Sequence, residues 1–218
     1  MIAEPDVALT DYALVVETFI FTVGIYRLRS PSSKLLKLWF LLLFASIGVA
    51  ALVGGTVHGF LTDPRSPATR FCWVLTLILL GITALSEYGT AAQLLLPPHS
   101  ANLLTFMATL VFLTYVAVVV LWNATFRIAV IDYLGGLIFL LIAFVHVYFR
   151  RRSRAALVGI AGLLLTVAAS VVQQAHISLN PRYFNHNALY HLVEAIALFL
   201  IYRAGRSLVN IPALPENR

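Results

Sequence analysis

The stretch from Ile128 to Phe149, IAVIDYLGGLIFLLIAFVHVYF, followed at once by Arg150-Arg151-Arg152-Ser153-Arg154, decides the fold. A bilayer core is crossed by a helix of about 20 apolar residues, and this run is long enough. Lipid cannot satisfy free backbone N–H and C=O groups, so the run must be helical. Lys and Arg collect in cytoplasmic loops, so the arginines mark the cytoplasmic end. The one acid, Asp132, then lies toward the outer face.

Six further runs share this character: Val7 to Tyr26, Leu38 to Leu61, Phe71 to Leu96, Leu103 to Trp122, Ala155 to Leu179 and Ala188 to Tyr202. The last reaches full length only with Asn185 to Asn187. Turn formers separate them: Ser30-Pro31-Ser32-Ser33, Asp63-Pro64-Arg65-Ser66-Pro67, Pro97-Pro98 and Asn180-Pro181. The composition agrees, at 61% hydrophobic and 11% charged, with a mean hydropathy of +0.91. A soluble domain is usually about a quarter charged. Seven spans of about 20 residues use about 140 of the 218, leaving short loops and no second domain. The expected fold is therefore all-α, a single seven-helix transmembrane domain over residues 1–218.

Arg27, Arg29, Lys34, Lys37, Arg150, Arg151, Arg152, Arg154, Arg203, Arg206 and Arg218 fall on one side, and Arg65, Arg70, Arg127 and Arg182 on the other, which accounts for all 15 basic residues. This asymmetry predicts N-out, C-in. It also explains the net charge of +6 without nucleic acid, because the basic run at Arg150 anchors at anionic headgroups. Glu4 and Asp6 replace the positive n-region of a signal peptide, so the first helix is expected to be retained. A lone Cys72 excludes an intramolecular disulfide and a Cys-based metal cluster.

Helix direction converts position into depth. Asp11, His58, Asn123, Asp132, Gln173, Gln174, His176, Asn187 and His191 fall toward the outer face, with Glu17 and Glu194 somewhat deeper. The inner half offers little besides Glu87 and His146. Ionisable groups inside a span are costly and face the bundle interior, so this layer is a site hypothesis. Asn187, His191 and Glu194, at i, i+4 and i+7, share one face of the seventh helix. His58 stands at matching depth on the second helix, beside Gly54 and Gly55, which permit close approach. Two imidazoles on different helices suit zinc, with a third ligand from His186, Glu194 or Asp132. Gln173, Gln174 and His176 are candidates for hydrogen bonds around such a centre or to a substrate carbonyl. Polar side chains between membrane helices also simply bond to one another, at about 0.6 kcal/mol each.

Seven spans, a histidine near the outer end of the second helix, and the stretch Gln173-Gln174 with Phe184-Asn185-His186-Asn187-Ala188-Leu189-Tyr190-His191 resemble the CREST superfamily. Its members include alkaline ceramidases and the progestin and adiponectin receptor proteins, and a small bacterial branch is the nearer likeness. The resemblance implies a metal-dependent hydrolase acting on a lipid amide or ester in a bacterial plasma membrane. It implies zinc on His58 and His191, with His186 taking the remaining ligand place through a local change of helix geometry. Asn187 stands where the family has the first histidine of its H-x-x-x-H, and Gly54 where it has a serine. The family's acid at the start of the third helix has no counterpart between Arg70 and Val74. Asp132 or Glu194 is the expected proton carrier by depth. The rival expectation is a seven-helix protein that binds lipid or a small ligand without chemistry, and transport through Glu87 is a third.

Overall fold

The computed structural model describes residues 2–29 and 33–210; the Ser30-Pro31-Ser32 turn and Arg218 lie outside the described residues. Seven helices follow one another: α1 (Pro5–Tyr26), α2 (Lys34–Phe60), α3 (Pro67–Leu95), α4 (Pro98–Leu121), α5 (Phe126–Arg151), α6 (Arg154–Gln174) and α7 (His186–Leu208). Each is long and apolar enough to cross a membrane. No strand occurs among the described residues, where Asn180 and Phe184 form an isolated bridge in the α6–α7 connection.

Most helices begin earlier than their apolar runs because their first turns are polar. Pro5, Pro67 and Pro98 occupy first helical positions, where the missing N–H costs nothing and φ is already helical. Two prolines expected to mark turns thus open helices. At its C-terminus, α6 stops at Gln174, short of Leu179. His176 takes a left-handed φ of 54°, while His176 N–H donates to Gln173 O at 3.2 Å and Ile177 N–H to Val172 O at 3.0 Å. This is a Schellman stop, commonly built on glycine. A histidine there, with no glycine, leaves no sign in the sequence.

α1 packs on α2 and α7, α2 on α3, α3 on α5, α5 on α6, and α6 on α7, which closes a ring of six helices. α4 lies outside the ring against α3, joined by Tyr115 Oη donating to Leu77 O at 2.7 Å. Much of α4, including Leu103, Phe106, Leu110 and Leu113, is exposed, as a lipid-facing surface requires.

The two halves of the ring differ. Toward the end that carries Arg27, Lys37 and Arg206, Phe21 stacks on Tyr202 with centroids 4.4 Å apart and meets Phe44 edge-on at 5.6 Å. Phe40 and Phe44, both fully buried, complete an aromatic plug. Toward the other end the ring leaves a cavity whose largely apolar wall carries a set of polar side chains.

Candidate functional site

The cavity measures about 190 Å³ and is lined by α1, α2, α3, α5, α6 and α7, with no residue of α4. Its polar lining is Asp11, His58, Thr76, Thr83, Tyr133, Ser170, Gln173, Asn187, Tyr190, His191 and Glu194. Of the residues singled out in the sequence, His58, His191, Glu194, Gln173 and Asn187 therefore share one space. Gln173 Nε2 donates to Asn187 Oδ1 at 3.4 Å, joining α6 to α7 across the rim.

The start of α7 explains how these groups are held. Asn185 caps the helix, its side chain accepting from Asn187 N–H at 2.9 Å and Ala188 N–H at 3.1 Å. Asp6 Oδ2 in turn accepts from Asn185 N–H at 2.9 Å, which ties α7 to the first turn of α1. The chain before α1 also bonds along the end of α2, with Ala3 N–H to Gly59 O at 3.0 Å and Glu4 N–H to His58 O at 3.3 Å.

His191 sits between two residues of α1. The Thr10 hydroxyl donates to its own helix, at Asp6 O and Val7 O, both 2.9 Å away. Its oxygen lies 3.1 Å from His191 Nδ1 and is the acceptor in the tautomer that carries the proton there. That tautomer leaves Nε2 with a lone pair, and Nε2 lies 3.4 Å from Asp11 Oδ1, where a proton on Asp11 or a metal ion joins the two; the other tautomer joins them by its own Nε2–H. Asp11 is 4% exposed, and its Oδ2 is buried with no partner. His58 repeats the pattern: Nδ1 lies 3.3 Å from Glu4 Oε2, which leaves Nε2 as its free nitrogen. A carboxylate on the far nitrogen is how proteins orient an imidazole toward a metal.

Glu194 lies one turn deeper than His191 and is 4% exposed. Its Oε1 accepts from Thr166 Oγ1 at 3.4 Å, and its Oε2 has no partner. The remaining sequence candidates stand elsewhere. His186 is the first residue of a regular α7, and its Nε2 lies 3.0 Å from His176 Nδ1 at the outer end, away from the cavity lining. Gln174 is exposed and donates to Gln173 Oε1. Asp132 is half-buried on α5 outside the lining, while its neighbour Tyr133 is part of it. Glu87 is buried against α5, where a Cβ on Gly136 would lie 2.7 Å from its Oε2, and it does not reach the cavity.

Sequence reasoning missed Thr10 as the partner of His191, and Ser170, Tyr133 and Tyr190 as lining residues. A threonine one residue from an intramembrane Asp was the available signal for the first. The tyrosines gave none, since tyrosine also belongs to the membrane interface.

The donor set can be weighed against a metal. Two imidazoles and a carboxylate are the donor types of a catalytic zinc site of the His₂-carboxylate kind. The His191–Asp11 pair presents a lone pair to a cation when the imidazole proton is on Nδ1, and Asp11 Oδ2 has no partner. In kind the residues fit. Among the described residues, however, no three His, Cys, Asp or Glu side chains already converge as a ligand group.

A family model described as a family of unknown function, DUF6962, matches residues 7–210. The chain belongs to DUF6962. The match takes in every helix except Pro5 and Asp6 of α1, and every residue that lines the cavity, so the cavity lies inside the family domain, with Glu4 and Asp6 just before it. No curated protein matches this DUF6962 chain, and no solved structure matches it either.

Proposed function

We propose that this DUF6962 member is an integral membrane hydrolase of ceramidase-like type, cleaving a lipid amide or ester in a bacterial plasma membrane. The observation that carries the reading is the His191–Asp11 pair, with Nε2 and Oδ1 3.4 Å apart, in a cavity that His58 also lines. His58, His191 and Asp11 would hold the zinc, so Asp11 takes the place first expected of His186. The chemistry a bound zinc supplies is Lewis acidity and easier ionisation of water.

The chain's own groups divide the remaining work. Glu4 and Thr10 hold the two imidazoles by their Nδ1–H groups. The Asn187 Oδ1 is engaged by Gln173, which leaves its amide N–H free to donate to a substrate carbonyl. Glu194, within the cavity and with one oxygen unpartnered, carries the proton to the leaving group. The aromatic plug beneath argues against transport, because it closes the polar layer from the cytoplasmic side. An outer-half site fed from the surrounding lipid suits a membrane lipid substrate.

The test is hydrolysis of fluorogenic acyl amides and esters in mixed micelles by zinc-loaded protein. The expected result is turnover that His191→Ala abolishes and Glu194→Gln lowers by about 10²–10⁴-fold, the usual worth of a general acid–base group. No turnover of any amide or ester by the zinc-loaded protein overturns the reading. A second reading, ligand binding without chemistry, is favoured by the lack of a converged three-donor group among the described residues. It predicts binding that a chelator leaves unchanged.

A further inference from the structure

We infer that the deep part of the cavity is a binding site for an amphiphile bearing a protonated amine, with the Glu194 carboxylate as its anchor. The ionisable side chains in the lining are two acids, Asp11 and Glu194, and two histidines; none of the 15 Lys and Arg residues is among them. The lining atoms that are buried with no partner are both carboxyl oxygens, Asp11 Oδ2 and Glu194 Oε2. A buried carboxylate oxygen without a donor is complemented by a head rich in donors, and an alkylammonium has up to three N–H donors and no acceptor.

The His191–Asp11 pair lies at the level assigned to the metal. Glu194 is three residues further along α7, about 4.5 Å deeper at 1.5 Å per residue, so its carboxylate can serve a second cation. A buried carboxylate with no partner is costly, and an ammonium within hydrogen-bond reach offsets part of that cost. The walls suit the rest of the molecule. Tyr133 and Tyr190 offer ring faces, which attract cations. Leu14, Ile47 and Leu80 offer an apolar surface for an alkyl chain. A cavity of about 190 Å³ has room for about six waters at about 30 Å³ each, enough for the head and the first carbons of a chain.

The inference goes beyond the hydrolase reading, since binding at Glu194 requires neither metal nor turnover. The experiment is titration of the purified protein, in a nonionic detergent at neutral pH, with decylamine, 1-decanol and decanoate. Intrinsic fluorescence is the readout because Trp73 lines the cavity. The expected result is decylamine binding at least about tenfold tighter than decanol, decanoate weakest, and the amine preference falling to within about twofold in Glu194→Gln. Equal affinity for amine and alcohol in the wild type overturns the proposal whether or not the variant folds. An undiminished preference in folded Glu194→Gln also overturns it. Failure of the hydrolysis assay with the amine preference intact would sink the hydrolase reading alone.

Discussion

Two adjacent glycines on α2 should respond to alanine with opposite signs. A Cβ on Gly55 would lie 2.8 Å from Asp11 Cβ and 3.3 Å from Tyr12 Cε1. Carbon atoms pack best about 3.5–4.0 Å apart, so α1 and α2 would have to separate by about 1 Å. Asp11 Cβ is fixed to the backbone and cannot swing aside. Overpacking of this kind costs about 1–3 kcal/mol. A Cβ on Gly54 would meet only Thr76 Cγ2, at 3.7 Å, an ordinary contact. Both variants gain the helix propensity of alanine, about 1 kcal/mol, and that gain cancels between them. Gly55→Ala should therefore be less stable than Gly54→Ala by about 1–3 kcal/mol. Gly55→Ala should also widen the His191–Asp11 contact and weaken metal binding, whereas Gly54→Ala should not. Reversible unfolding in mixed micelles, followed by circular dichroism, measures the difference. Stabilities within about 0.5 kcal/mol of each other would refute the packing argument.

Other perturbations separate the scaffold from the site. Tyr115→Phe removes the bond to Leu77 O and should cost about 1 kcal/mol in the same unfolding assay. Because α4 lies outside the ring, ligand and metal binding should be unchanged. Asn185→Ala removes the cap of α7 and should cost about 0.5–2 kcal/mol, read as a lower unfolding midpoint. Thr10→Val removes the acceptor for His191 Nδ1–H and should lower zinc affinity about 10–100-fold in a competition titration, with a loss of about 1–3 kcal/mol in unfolding from the donor left unpaired.

The fold was legible because lipid leaves few alternatives: apolar length sets the helices. The cavity was legible in part for the same reason, since polar groups inside a span must face the interior. His58, His191, Glu194, Gln173 and Asn187 were found by depth and helical spacing alone. Asp11 was placed at the right depth too, but its pairing with His191, and that of Thr10, were not foreseen, because both come from α1, and which helices become neighbours is decided by ring closure rather than by any local pattern. His186 and His176 were misplaced by one cause. The left-handed stop at His176 ends α6 early, and the connection that follows brings His176 against His186 at the outer end. A glycine would have announced that stop, and a histidine did not.

Metal stoichiometry on purified, zinc-equilibrated protein tests the central claim most directly. The account predicts one zinc per chain in the wild type, loss of it in His191→Ala and Asp11→Asn, and full retention in His186→Ala. A wild type that stays metal-free while fully folded, or zinc that is lost in His186→Ala yet kept in Asp11→Asn, would contradict it.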